Sequence, residues 1–324
     1  MGTLVALGSS PPLDPEAAAG IVRAYGLELE SCEPLAAGSV NSNFRLETAQ
    51  GRFFLRIYEE QAEAGALREL ELLRALARAG VPTTEPPLRL DGASVSHHQG
   101  KPVALYPWVE GDIVCTEQAV PARCEAVAAA LARVHLAGAA LPPQPPSRFD
   151  ADALRERLGL IARAAVPELC RAAKEIEEHL PAVQAARVPD LPRGLIHGDL
   201  FRDNVLWRGD EVAALIDFES ASSGVFAFDL MVLVLSWCFR DHFDLDRVRA
   251  MLRGYQSVRP LSPEERSGLR GEGALACLRF ATTRMTDFSL RAAPGKPPLR
   301  DYRRFLQRLE ELETPELARV LEGA

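Results

Sequence analysis

Residues 191–221, LPRGLIHGDLFRDNVLWRGDEVAALIDFESA, constrain the fold more than any other stretch of the chain. Two branched apolar runs, Leu195-Ile196 and Leu215-Ile216, each end in polar residues. His197, Asp199, Asp203 and Asn204 follow the first run, and Asp217 follows the second. Short apolar runs of this kind read as buried strands, which places the polar residues at strand ends or turns. Between them, VLWRGDEVAALI reads as a hairpin turned at Gly209-Asp210. A rigid strand end can fix a functional side chain while leaving one side of it open.

The rest of the chain can be laid out around that segment. Residues 15–28 read as a short amphipathic helix, with Pro12 and Asp14 as start signals. EPLAAGSVNSNFRLET and GRFFLRIYEE read as two strands joined by the turn Thr48–Gly51, with a small-residue segment, 36–43, inside the first. Leucines at 67, 70, 73 and 76 mark one face of a helix over 67–80, ended by Gly80 and Pro82. PPLRLDG and KPVALYPWVEGD read as two more strands around a polar tip that contains His97 and His98. The first lobe, 1–110, is thus strand, strand, helix, strand, strand: a small antiparallel sheet whose apolar side the 67–80 helix covers.

The character changes near Gly111, and 111–324 reads as a larger, mainly helical lobe. An alanine-rich helix over 117–140 contains His135, for which a packing role is expected. PPQPPSRFD is an irregular connector, because proline ends regular elements. Helices with breaks near Pro167 and Pro181 follow, and after 225 more helices, interrupted at RPLSP and APGKPP. RDYRRFLQRLEELETPE reads as a terminal surface helix. The overall class is α+β.

Composition sets the exclusions. Asp plus Glu outnumber Lys plus Arg by 45 to 37, giving a formal charge of -8, which speaks against a general nucleic-acid binder. Six scattered cysteines without CxxC spacing read as free thiols of a reducing compartment, not a zinc site or disulfide frame. The N-terminus has no signal-peptide pattern, and the longest apolar run, 225–239, is broken by Asp229 and too short to span a membrane. The expectation is a cytoplasmic protein with a small-molecule substrate, acting as a monomer or homodimer.

The Asp199, Asn204 and Asp217 set points to phosphoryl transfer to an alcohol. That chemistry needs a carboxylate to orient the hydroxyl and accept its proton, and oxygen ligands for the Mg²⁺ that neutralises phosphate. An aspartate followed five residues later by an asparagine in one loop, with a second aspartate from the next strand pair, supplies both.

These motifs resemble the aminoglycoside phosphotransferase and choline kinase superfamily, and within it the bacterial homoserine kinases unrelated to the GHMP fold. GSVNSNFRLET with GRFFLRIYE resembles the family's nucleotide-covering hairpin, GKPVALYPWVEGD its interlobe strand, HGDLFRDNVLW its catalytic loop, and ALACLRFATTRMTDF a helix of its homoserine kinases. The resemblance implies a two-lobed protein-kinase-like fold and ATP-dependent phosphorylation of a small amino alcohol, with L-homoserine giving O-phospho-L-homoserine in threonine biosynthesis. It implies Asp199 as catalytic base, Asn204 and Asp217 as Mg²⁺ ligands, and Arg56 with Glu69 as the basic residue and its acidic helix partner. Arg56 stands where many relatives have lysine; it either forks toward phosphate and Glu69 or faces solvent. Ser39, Asn41, Ser42 and Asn43 lie over the phosphates on this reading, and Tyr106–Val109 beside the adenine. His197 braces the loop, and Asp229 anchors it from a helix start.

The acceptor pocket is less specified. Arg202 either approaches phosphate or substrate carboxylate or forms a structural ion pair. Arg279, Arg284, Asp287 and Glu219 are candidates for holding an ammonium and a carboxylate, and Arg284 and Asp287, three apart, share a helix face. FESASSGVFAFDL stands where homoserine kinases of this type carry an aromatic-rich segment. Choline, ethanolamine, aminoglycosides and methylthioribose are alternative acceptors, and a non-catalytic kinase-like binding module is the alternative of another class. Only eleven residues separate Asp217 from Asp229, leaving little room for a protein-substrate platform.

Overall fold

Alternation of side chains decides the first sheet. The computed structural model describes residues 13–35, 41–292 and 300–323. Strands β1 (Leu29–Leu35), β2 (Ser42–Thr48), β3 (Gly51–Ile57), β4 (Ser96–His98) and β5 (Lys101–Pro107) form one antiparallel sheet in the order β1-β2-β3-β5-β4. Phe44 pairs with Leu55, Leu55 with Leu105, and Ile57 with Val103, so these side chains share one face. Helix α1 (Pro15–Arg23) lays Ala18, Ile21 and Val22 on that face, and Tyr25 extends the same core. Asp14 caps α1 by accepting from the Ala17 N–H at 2.9 Å. The opposite face carries Asn43, Arg56 and Ala104 in register, and beside them Phe54 and Tyr106.

Three expectations change here. The apolar face is covered by α1, whereas helix α2 (Glu63–Arg78) presents Glu69 to the polar face. Three strands precede α2 where sequence indicated two, because β1 pairs with β2 as a separate edge strand. Residues 86–92 are not a strand. Pro86 and Pro87 offer no N–H, and the N–H groups of Arg89 and Leu90 bond Ala93 and Ala24. The short strand is Ser96–His98, so His97 and His98 belong to it and the turn is Gln99-Gly100, both at positive φ.

The chain divides into two compact units. The first runs to Gly111 and takes in Ala213–Glu219; the second comprises Asp112–Val212 and the chain from Ser220. The boundary expected at 110–111 assigns segment 213–219 to the larger part of the chain. Segment 213–219 joins the first through backbone bonds: the Leu215 N–H donates to the Pro82 carbonyl at 2.7 Å, and the Thr83 hydroxyl to the Leu215 carbonyl at 2.8 Å.

In the second unit α3 (Pro121–Gly138) is followed by the irregular connector, then α4 (Ala151–Ala164) and α5 (Pro167–Ala185). Pro181 lies inside α5 without breaking it. Proline removes one N–H, and the carbonyl it leaves, on Glu177, is on the exposed side of the helix. β6 (Arg193–Ile196) pairs antiparallel with β9 (Ser222–Val225), and β7 (Val205–Arg208) with β8 (Glu211–Leu215) makes the expected hairpin. Helix α6 (Phe226–Trp237) is apolar almost all round and correspondingly buried. α7 (Leu245–Gln256) packs on α3, and α8 (Pro263–Arg284) on α6. α9 (Arg303–Glu311) and α10 (Pro315–Glu322) end the fold; α9 is more than a surface helix, since it buries Phe305 and Arg308. Pro12, segment 36–40 and the whole of the APGKPP break lie outside the described residues.

Candidate active site

The HGD sequence is explained by the loop that leaves β6. Gly198 has φ +77, and a Cβ there would meet the Ser220 carbonyl oxygen at 2.9 Å, so only glycine fits without strain. Asp229, in the first turn of α6 and fully buried, accepts from the N–H groups of His197 at 2.7 Å and Gly198 at 2.8 Å. Burial alone would raise the Asp229 pKa; the bond from His135 at 3.0 Å and nearby donors override it and hold the carboxyl below its ordinary range. Burial pushes His135 down more than Asp229 pulls it back, which favours the neutral imidazole. Its Nε2–H donates to the ionised Asp229, which leaves Nδ1 to accept from the Tyr255 hydroxyl at 2.7 Å. His135 therefore anchors the loop through Asp229 and stacks on Phe226.

His197 is buried, and its Nδ1 accepts from the Asp199 N–H at 3.3 Å, an internal brace. Asp199 itself keeps 30% of its side chain exposed. Asn204 ends a single 3₁₀ turn, Arg202–Asn204, and its amide nitrogen donates to the Asp199 carbonyl at 2.7 Å. The five-residue spacing thus closes the loop on itself, and the Asn204 amide oxygen is the atom left to face a ligand. Arg202 donates to the Ser236 carbonyl near the end of α6, and Asp203 pairs with Arg300 at 2.5 Å. Arg202 is engaged in holding the loop to α6.

In the first unit, one guanidinium gathers the acidic residues. Arg56 lies 2.7 Å from Glu219, 3.3 Å from Asp217 and 3.8 Å from Glu69, and its Nε reaches Asn43 at 3.4 Å. Asn41 donates to Glu219 and accepts from the Glu59 N–H at 3.2 Å. Glu219, a candidate for the acceptor's ammonium, is thereby held in the Arg56 cluster. Burial opposes charge on Arg56, but Asp217, then Tyr106 and the two glutamates, override it and raise its pKa. Three carboxylates share that one cation. Burial, with Glu219 and Asp217 adding to it, pushes the most enclosed, Glu69, up to about 8 against the pull of Arg56. Glu69 also accepts from the Tyr58 hydroxyl at 2.9 Å, and Tyr58 meets Tyr106 oxygen to oxygen at 2.6 Å. Asp217 adopts φ +65, a left-handed conformation that aspartate tolerates better than most residues. Val109 is half-buried beyond β5, and the neighbouring Trp108 N–H bonds Arg52. Ser39 lies outside the described residues.

Arg284 and Asp287 do not pair. The last turn of α8 widens into a π-helical turn, Met285–Ser289, which breaks the α-helical spacing. Arg284 bonds the Asp301 carbonyl at 2.8 Å and stands over Phe305, while Asp287 pairs with Arg157 at 2.9 Å. Of the two α8 arginines Arg279 and Arg284, Arg279 bonds the HGD segment, 3.1 Å from the Gly198 carbonyl and 3.4 Å from Asp199. Sequence reasoning missed two residues. Tyr58 was findable, because it stands two residues beyond Arg56 and alternation extends to it. Phe149, beside Arg279, lies in the proline-rich connector, where no periodicity marks it.

Among the described residues, no group of three His, Cys, Asp or Glu side chains forms a metal site. The oxygens offered by Asn204 and Asp217 are nonetheless hard donors of the kind Mg²⁺ takes alongside phosphate and water.

Residues 31–261 match the phosphotransferase enzyme family. A homoserine kinase from Brucella melitensis is 35% identical over 263 residues, covering 80% of each chain. An aminoglycoside phosphotransferase from Alicyclobacillus acidocaldarius superposes with a TM-score of 0.68 at 18% identity, covering 98% of each chain. A choline/ethanolamine kinase family protein from Mesorhizobium loti superposes at 0.65 with 21% identity over 96% of each. These two share the fold, a small antiparallel-sheet lobe with a larger helical one. By sequence and fold together, the chain belongs to the phosphotransferase enzyme family.

Proposed function

We propose that this protein transfers the γ-phosphoryl group of ATP to the hydroxyl of L-homoserine, giving O-phospho-L-homoserine, and so serves threonine biosynthesis in the cytoplasm. The observation that carries this reading is the 35% identity to a homoserine kinase across four-fifths of both chains. Asp199 orients the acceptor hydroxyl and takes its proton as the P–O bond forms. The Asn204 amide oxygen and the Asp217 carboxylate hold Mg²⁺, which when bound neutralises phosphate charge. Arg56 supplies a forked cation for the phosphates, and Asn41 and Asn43 lie on the same polar side of the first unit. The Asp229 clamp on the His197 and Gly198 amides fixes the loop before substrate arrives, so no reorganisation is needed at the reacting centre.

The test is an ADP-release assay over L-homoserine, choline, ethanolamine, an aminoglycoside and methylthioribose. Selective turnover of L-homoserine is expected; turnover of choline alone would sink the reading. Asp199→Ala removes a base whose contribution is typically about 10²–10⁴-fold. Its kcat should fall at least that far, with ATP affinity nearly unchanged by calorimetry. Asn204→Ala and Asp217→Ala should raise the Mg²⁺ concentration needed for half-maximal rate; an unchanged requirement in both counts against them as ligands.

A further inference from the structure

The second unit encloses a cation that nothing in the fold fully answers. Arg279, on α8, is 3% exposed. Its guanidinium carbon stands 3.8 Å from the ring centre of Phe280 and 4.1 Å from that of Phe149. The two rings fix its plane, as aromatic faces do for guanidinium groups. Its hydrogen bonds run to the Gly198 carbonyl at 3.1 Å and to Asp199 at a long 3.4 Å. Its Nε is buried and has no partner among the described residues. A buried charged donor without a partner is the kind of group a ligand completes.

The charges around it share its sign. Arg148 and Arg157 both stand over the Phe149 ring, at 5.1 and 5.4 Å. Arg157 already has Asp287 as its partner. Burial, with Arg148 and Arg157 adding to it, lowers the Arg279 pKa to about 10 against the pull of Asp199. A second anion would balance the cluster. An ammonium or quaternary ammonium group would meet repulsion there.

We propose that Arg279, clamped between Phe149 and Phe280, binds the carboxylate of the acceptor and so restricts the enzyme to anionic or zwitterionic alcohols. This rests on the homoserine kinase reading for the identity of the acceptor, but not for its charge. Arg279 touches the Asp199 carboxylate, so a carboxylate that pairs with its unpartnered Nε places the acceptor's other end, the hydroxyl, beside the base. Phe149, half-buried on the irregular connector between α3 and α4, brings a second ring to the guanidinium from outside α8.

The experiment compares kcat/KM for L-homoserine and for L-homoserine amide, its uncharged counterpart, in the native enzyme, Arg279→Lys, Arg279→Met and Phe149→Ala. The native enzyme should prefer the acid by about 10²-fold or more, because the amide leaves a buried charge unpaired. Arg279→Lys should keep a reduced preference. Arg279→Met should lose it, through KM for homoserine more than through kcat, with KM for ATP unchanged. Phe149→Ala should raise KM for homoserine alone. If Arg279→Met does not fold, the acid-to-amide ratio in Arg279→Lys and the KM shift in Phe149→Ala decide. A native enzyme that takes acid and amide equally, or an acid preference unchanged in every Arg279 variant, overturns the proposal while leaving homoserine kinase activity standing. Turnover of a different hydroxy acid, with homoserine inert, overturns the homoserine reading and supports Arg279. Turnover confined to choline, ethanolamine or an aminoglycoside overturns both.

Discussion

At the residue scale, Asp217 and Glu69 show how environment gives the same functional group different behaviour. Asp217 combines charge with a left-handed backbone, and the two roles can be separated. Asp217→Asn removes the charge but keeps a residue that tolerates positive φ; Asp217→Ala removes both. The alanine variant should therefore be less stable than the asparagine variant by about 1–2 kcal/mol, read from urea midpoints. Glu69 binds its proton more tightly folded than unfolded, because burial raises it to about 8. Stability from this group is fully present below the ordinary carboxylate pKa and is lost as pH rises through about 8. Glu69→Gln mimics the protonated form, so the native protein's melting temperature should fall relative to the variant from about pH 5 to pH 8 and level off above. Parallel curves across that range would show that Glu69 is ionised throughout. The residues of the 197–204 loop were legible because they lie close in sequence, a spacing that five-residue closure through Asn204 uses. The Arg56 partners were only half legible. Glu219 looked like an acceptor ligand until Arg56 was seen at 2.7 Å, a contact across 163 positions that no local pattern reports.

At the element scale, helix contacts set by missing side chains matter most. A Cβ on Gly254 of α7 would lie 2.0 Å from the Glu125 backbone oxygen of α3, so the two helices approach as only glycine permits. Backbone cannot yield as a side chain can. Gly254→Ala should force the helices apart and cost about 1–3 kcal/mol, measured as a lowered urea midpoint at unchanged m-value. A similar approach occurs where a Cβ on Gly138 would meet Leu195 Cβ at 2.4 Å, pressing α3 against β6. Helix α2 was legible from leucine spacing, strands β2 and β3 from apolar alternation, and β5 from a continuous apolar run. β1 was not, since LESCEPL carries two glutamates and a proline on a partly exposed edge and shows no alternation to read. Which helix covers the sheet was also hidden. α1 and α2 are both amphipathic, and only the register that turns Leu55 and Ile57 one way and Arg56 the other decides between them.

At the scale of the whole molecule, the first unit is discontinuous in sequence. It is complete only when Ala213–Glu219 returns to it, bringing the Leu215 bonds to Pro82 and Thr83 and two of the three carboxylates that neutralise Arg56. A fragment ending at residue 111 contains the whole five-stranded sheet and lacks that return. It should show no cooperative thermal transition by near-ultraviolet circular dichroism, since a guanidinium left with Glu69 alone in a buried site is strongly destabilising. A sharp transition close to that of the full chain would mean the sheet needs nothing from beyond residue 111. The same discontinuity has a consequence in time. A chain emerging from the ribosome completes all five strands of its first unit, then waits while more than a hundred further residues are made before the last acidic partners arrive. Through that interval the Arg56 guanidinium is incompletely balanced. Ribosome-bound chains stalled before Ala213–Glu219 has emerged are therefore expected to stay protease-sensitive in the first unit, and longer ones to become resistant.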